Sequence, residues 1–325
     1  MSPDQIAAAC AIDDTHDRPL ERGQSACAAA AVPEALRHIG MAELEPWSLA
    51  EVDADRLPAA GALAAHRPAW IGACHRPARP RLEGAPRRTL MHRGRELEAL
   101  YVWGADDRRV YADTRYPWGC VCRVVTAAGT GSGVIVGPRH VLTASHVVDW
   151  ARSGAGTVEV HRAGPAASAL SAIRRVWTYI KVAPPQVGHS EVDEDYAVLV
   201  TADRIGERFG WLGVRTYNSG WDDEPLWYNI GYPRDVADGA YPVWQNRKSL
   251  DEDEWDYGSA RAMTTSADTA RGQSGGPIFG FWRDGPSVVA TVSAQGTYFL
   301  SGRENWCSGG TALTRLVNHA RAQDA

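Results

Sequence analysis

Arg271-Gly272-Gln273-Ser274-Gly275-Gly276-Pro277 sets a serine between glycines, in a run that can be neither helix nor regular strand. Such a run is a tight turn whose backbone comes close to something. Gly272 would let its own N–H and that of Ser274 point at one spot, which is how a backbone oxyanion hole is made. Taken alone, the run is equally an ordinary glycine-rich turn, since glycine and serine are common turn residues. Two upstream stretches shift that balance: Leu142-Thr143-Ala144-Ser145-His146-Val147 and Asp193-Glu194-Asp195-Tyr196-Ala197-Val198-Leu199. A serine nucleophile needs a base to take its proton, and the base needs a carboxylate to fix its tautomer. His, then Asp, then Ser is one of three known chain orders for that trio.

The carboxylate has to be chosen among Glu191, Asp193, Glu194 and Asp195. Only Asp195 directly precedes the apolar run Tyr196–Leu199, so only it enters a strand where a buried carboxylate can orient His146. The catalytic candidates are therefore His146, Asp195 and Ser274, with Gly272 and Ser274 as oxyanion donors.

These motifs resemble the chymotrypsin-clan serine proteases, and within them the glutamyl-endopeptidase-like secreted enzymes of bacteria and fungi. The resemblance covers roughly residues 100–320. It also takes in Asp106-Asp107-Arg108, Tyr116-Pro117-Trp118, Val136–His146 and Asn229-Ile230-Gly231-Tyr232-Pro233. It implies two packed six-stranded β-barrels, peptide-bond hydrolysis through an acyl-enzyme, a protein or peptide substrate, and no cofactor. Many relatives bridge a cysteine just after the catalytic His to one on the preceding strand; the resemblance puts those positions at Val147 and Gly131, both without cysteine. In vertebrate relatives an Asp before the nucleophile pairs with a newly cut amino terminus. Gln273 is uncharged, so that form of activation is not expected. Val292-Ser293-Ala294-Gln295-Gly296 matches the strand that pairs with the substrate, which makes Ser293, Ala294, Gln295 and Gly296 substrate-binding candidates. Glutamate-specific relatives carry a His in this strand, and none is near Val292. Asp268 lies where trypsin-like enzymes hold the Asp that binds Arg or Lys, although relatives without basic specificity also carry an Asp-Thr pair there.

The composition agrees with a β architecture over the second part of the chain. Of 13 Trp among 325 residues, 11 follow residue 100, in short runs punctuated by Gly and Pro. One series of strands is expected at Val121–Thr126, Gly133–Val136, His140–Thr143, Thr157–His161, Ile173–Tyr179 and Tyr196–Val200. A second is expected at Leu226–Ile230, Val243–Asn246, Ala260–Thr264, Pro277–Phe281, Val288–Gln295 and near Thr311, with a closing helix over Ala312–Ala322. The net charge of −5 argues against a nucleic-acid partner, and no run of 18 apolar residues predicts a membrane span. Six Cys (10, 27, 74, 120, 122, 307) show no zinc-site spacing, and no metal is expected. The acidic run Asp251-Glu252-Asp253-Glu254 lacks the glycine and alternation of a calcium loop.

Residues 1–99 lie outside the resemblance and are expected to form a poorly structured or helical extension, with the protease domain at 100–325. Short helices are predicted around Pro33–Ile39 and Leu49–Leu57. Across 66–95, eight Arg share the chain with four Pro and a single Glu, which predicts an extended linker. It reads either as a solvated tether or as a cleavable pro-segment in intramolecular contact with acidic loops of the domain, as in a zymogen. Met1–Ile12 has neither a basic nor an apolar segment of secretory type, whereas the resemblance implies secretion. A monomer is expected. Two further readings remain open: a non-catalytic peptide-binding protein on the same barrels, and an esterase, which would not need the strand at Ser293–Gly296.

Overall fold

The computed structural model describes residues 18–37 (apart from 21–22, 24 and 29), 48–78 (apart from 54–55), 91–92, 95–96, 106–150, 156–183, 187, 190–252, 258–298 and 302–325. Two curled sheets make up most of it. The extension contributes β1 (Ser48–Glu51) and an isolated two-stranded pair, β2 (Met91–His92) with β3 (Arg95–Glu96), and the short strand β4 (Arg109–Val110) follows. The first sheet then comprises β5 (Val121–Thr126), β6 (Gly129–Ile135), β7 (His140–Thr143), β8 (Thr157–Val160), β9 (Ala169–Thr178) and β10 (Ala197–Thr201). Their order is β9-β10-β7-β6-β5-β8, and β8 pairs back with β9, so the six strands close into a barrel. Closure removes every unpaired edge from this sheet except where β1 adds in parallel to β9.

A one-turn helix, α1 (Ile205–Phe209), and the short β11 (Gly213–Val214) lead into the second sheet. It contains β12 (Trp227–Gly231), β13 (Val243–Lys248), β14 (Leu250–Glu252), β15 (Ala260–Thr265), β16 (Pro277–Trp282), β17 (Gly285–Tyr298) and β18 (Gly302–Gly309). The order is β14-β15-β18-β17-β16-β12-β13-β4, with β11 beside β17. No ladder joins its two ends among the described residues. Because β13 and β14 are nearly consecutive in the chain, the sheet curls around on itself as a half-barrel. The expected second closed barrel is corrected accordingly. The strand expected near Thr311 is β18, which ends at Gly309; Thr311 itself lies in the closing helix α2 (Gly310–Gln323).

Helix α2 buries Ala312, Leu313, Leu316, Val317 and Ala320, one stripe at helical spacing. Between the sheets, Trp118 is fully buried and meets Tyr111, Tyr228, Trp244 and Phe279 edge-on, at ring separations of 5.5 to 6.0 Å. A second group of Tyr217, Trp221, Trp227 and Trp282 fills the half-barrel. Trp118, Trp177, Trp221, Trp227, Trp244, Trp282 and Trp306 are thus all buried, so much of the tryptophan bias after residue 100 is core.

The extension departs from expectation. Ser48–Glu51 is a strand rather than part of a helix, because its backbone pairs with Arg175–Thr178. Glu34–Leu36 is only a 3₁₀ turn. Residues 66–78 are docked, not free linker: Leu63 bridges Val214, His66 bridges Trp211 and Ala73 bridges Tyr116, while Trp118 Nε1 donates to the Cys74 carbonyl at 2.8 Å. The arginines from 79 to 90 lie outside the described residues.

Candidate active site

Register brings His146 and Asp195 together. In the antiparallel pair β7–β10, Thr143 faces Ala197. Three residues beyond Thr143 and two before Ala197 therefore fall side by side at the same end of the barrel. His146 sits there in the 3₁₀ turn Ser145–Val147. The turn is tied down by Ser145, whose Oγ donates to the Ile180 carbonyl at 2.8 Å and accepts from Val182 N–H at 3.2 Å.

Asp195 is fully buried and its carboxylate is used three times. Oδ1 accepts from the His146 backbone N–H at 2.9 Å, Oδ2 accepts from His146 Nδ1 at 2.7 Å, and Oδ2 also accepts from Ser293 Oγ at 2.5 Å. A carboxylate only accepts here, so Nδ1 carries the imidazole proton and Nε2 keeps its lone pair. The His146 side chain is 15% exposed.

The serine turn docks against the same end of the barrel. The Ser274 carbonyl accepts from Ser132 N–H at 2.7 Å, and Ser132 Oγ donates to the Gly272 carbonyl at 2.6 Å. Both bonds aim carbonyls into the protein, and among the described residues neither Gly272 nor Ser274 N–H donates to a protein acceptor. Gly272 has φ +96°, and a Cβ there would stand 2.4 Å from the Tyr232 carbonyl oxygen. Gly275 has φ +80°, and a Cβ there would stand 2.3 Å from Ser132 O and 2.6 Å from Ala144 N. Only glycine satisfies both the left-handed backbone and the contact. Ala144 is two residues from His146, so this close approach sets the serine turn beside the segment that carries the histidine.

Gly131 and Val147 also meet: a Cβ on Gly131 would stand 2.5 Å from Val147 Cγ2. These are the two positions that the resemblance assigned to a bridge in relatives. Here apolar packing occupies the space. Cys27, Cys74, Cys120, Cys122 and Cys307 are all free thiols.

The strand with the substrate-binding candidates is β17. Its ladder with β16 stops at the pair Pro277–Thr291, and Val292 then bonds the serine turn through Gly275 N–H and Gly276 O. Beyond that point the β16-facing edge of Ser293, Ala294, Gln295 and Gly296 carries no ladder among the described residues. A bulge between Val292 and Gln295 interrupts the β18 side and turns Ser293 inward to Asp195, a role the sequence did not reveal.

Asp268 is buried, but not free. Its Oδ2 lies 3.7 Å from Lys248 Nζ and 3.4 Å from Asp107 N–H, and Lys248 also pairs with Asp107 at 3.0 Å. The carboxylate expected to receive a substrate cation thus already faces a cation of its own chain. Sequence reasoning noted Arg108 only as part of the Asp106-Asp107-Arg108 motif and passed over Asp235 altogether. Arg108 is 2% exposed and contacts Asp106, Asp235 and Gln273. The Asp106-Asp107-Arg108 motif was a signal for it, but its side-chain role needs the three-dimensional neighbours.

Known proteins are similar to this chain in sequence and in fold. Residues 131–285 match the trypsin-like peptidase domain. A glutamyl endopeptidase of Bacillus licheniformis is 29% identical over 218 residues, or 66% of this chain; the match spans 64% of the relative's own length. The solved structure of a Glu endopeptidase in complex with MPD superposes with a TM-score of 0.55 at 20% identity, covering 69% of this chain and 100% of that one. The domain match and the superposition together show a chymotrypsin-like fold in which residues 131–285 are similar to the trypsin-like peptidase domain.

Proposed function

We propose that the chain is a serine endopeptidase working through an acyl-enzyme, with Ser274 as nucleophile, His146 as base and Asp195 as the group that orients His146. The observation that carries this is the double grip of Asp195 on the His146 N–H and Nδ1–H, which leaves Nε2 as the available base. In the reaction, Nε2 takes the Ser274 Oγ proton as Oγ attacks the substrate carbonyl. The developing oxyanion accepts from the Gly272 and Ser274 N–H groups, which donate to no protein acceptor among the described residues. Protonated His146 then gives its proton to the leaving amine, and water repeats the sequence to release the acid.

The free edge of β17 at Ser293–Gly296 supports a peptide substrate, because an extended chain can add to it as a strand. An esterase has no use for such an edge, and that favours peptide over ester. The relatives' names specify glutamyl bonds. The proposal does not extend that preference to this chain, because Val292 and Ser293 stand where a histidine would be needed. The test is fluorophosphonate labelling of the full chain followed by cleavage profiling on a peptide library. Labelling lost in Ser274→Ala, together with internal peptide cleavage, supports the reading; no labelling and no cleavage rejects it.

A further inference from the structure

We propose that Arg108 is the positioning residue of the serine turn, holding from within the chain the oxyanion donors that the proposed peptidase reaction needs. Strand β4 pairs with β13, Arg109 facing Trp244, and this threads the preceding Arg108 underneath residues 269–277. Its Nη1 donates to Gln273 Oε1 at 2.9 Å and to Asp235 Oδ1 at 3.2 Å, and its Nη2 donates to Asp235 Oδ2 at 2.5 Å. Asp106 takes the other side of the fork, at 3.1 Å from Nε and 3.0 Å from Nη2. Burial opposes the charge, but the bonds to Asp106 and Asp235 outweigh it and leave the guanidinium pKa raised.

The two groups that the fork joins are the two walls of the turn. Gln273 is the residue between the oxyanion donors Gly272 and Ser274. Its Oε1 also accepts from Ala270 N–H at 2.9 Å, and its Nε2 donates to Asn229 Oδ1 at 3.1 Å. Gln245 reaches the same Asn229 oxygen at 3.0 Å, so a buried amide lattice underlies the turn and Arg108 closes its open side. Asp235 belongs to the loop that flanks the turn from outside: Arg234 N–H donates to the Arg271 carbonyl at 2.6 Å, and Tyr232 O sits against Gly272. A planar, five-donor fork can hold both walls at once, which a point charge cannot. It also accounts for the uncharged residue at 273, because a carboxylate there would be the third acid around one buried guanidinium. Since the cation is internal, the turn needs no newly cut amino terminus to order it.

The test uses the full chain, shown by mass to be uncut, and compares wild type with Arg108→Met, Arg108→Lys, Gln273→Met and the double variant Arg108→Met/Gln273→Met. Arg115→Met, which breaks an ion pair between the exposed Arg115 and Asp113 away from the serine turn, serves as the stability control. Wild type is expected to label with fluorophosphonate while uncut. Arg108→Met, folded by circular dichroism, is expected to lose about 10²-fold in kcat and labelling rate, the scale of one misplaced oxyanion donor, with KM within a few-fold. Arg108→Lys is expected to recover part of the loss. Gln273→Met leaves both carboxylate pairs intact, so it guards against a misfolded Arg108 variant; it should match Arg108→Met, and the double variant should lose no more than either single one. Unchanged kcat in folded Arg108→Met or Gln273→Met, multiplicative losses in the double variant, or a wild type that labels only after a cut would each overturn the proposal. A wild type that never labels at Ser274 removes the peptidase reading on which it rests.

Discussion

Gly272→Ala is a one-carbon change whose consequence follows from two coordinates of the turn. At φ +96° an alanine is strained by about 1–2 kcal/mol relative to glycine. Its Cβ would also stand 2.4 Å from the Tyr232 carbonyl oxygen and 3.0 Å from Arg234 Cγ. The near atom is backbone, held by Tyr232 N–H bonding to Ser132 Oγ at 2.8 Å, so the turn rather than the wall must give. Relief of that contact needs a displacement on the order of 1 Å, a misplacement large enough to cost about 10²-fold in rate. Gly129→Ala is the matched control: φ is +137° there, but nothing lies within 4 Å of the added carbon. Both variants should unfold at lower denaturant, by amounts equivalent to about 1–2 kcal/mol. Only Gly272→Ala should lose kcat, measured by single-turnover acylation with an ester substrate, with KM changed little. Wild-type acylation by Gly272→Ala, or an equal loss in Gly129→Ala, would refute the argument that this close approach positions an oxyanion donor.

The remaining predictions concern specificity and stability. Asp268→Ser should destabilise the chain and leave the preference for or against Arg and Lys at the cleaved bond unchanged, because Lys248 already answers that carboxylate; a library profile that shifts away from basic residues would restore Asp268 to the pocket. Burial pushes the His140 and His161 pKa values down to about 4, against about 6.5 in the unfolded chain. Between those values the unfolded state binds more protons, so stability is full above pH 6.5 and falls as pH drops toward 4, by about 3 kcal/mol for each histidine. Denaturant midpoints at pH 7 and 4.5 should therefore differ more in wild type than in a His140→Asn/His161→Asn variant, and equal differences would exclude these groups as the cause. A chain of residues 100–325 lacks β1 and the bridges at Leu63, His66 and Ala73; it should melt well below the full chain, and an unchanged melting temperature would make the docked extension dispensable.

The sequence made the first barrel legible strand by strand, because Val121–Thr126, His140–Thr143 and Tyr196–Val200 are short apolar runs cut by Gly and Pro. It made Asp195 legible for a related reason: only that acid abuts the strand, and the register with Thr143 then delivers it to His146. The extension was misread because its docking uses backbone pairing. Ser48–Glu51 offers no alternating apolar face, and the proline-spaced stretch after His66 forms single bridges that leave no periodic trace. The contacts of Ser293 and Arg108 were missed for another reason. Ser293 turns inward because of a bulge, and Arg108 acts through partners 127 and 165 residues away, distances over which sequence spacing carries no information. Asp268 was read as a candidate for binding a substrate Arg or Lys; its ion-pair partner Lys248 comes from a different strand and left no trace in the spacing.

Whether Ser274 is a nucleophile activated by His146 is decided most directly by covalent labelling of the intact chain with a fluorophosphonate, followed by mass mapping of the adduct. The account predicts one adduct per chain on Ser274 Oγ, absent in Ser274→Ala and slowed by several orders of magnitude in His146→Ala. An adduct elsewhere, or labelling that survives either substitution at the wild-type rate, would contradict it.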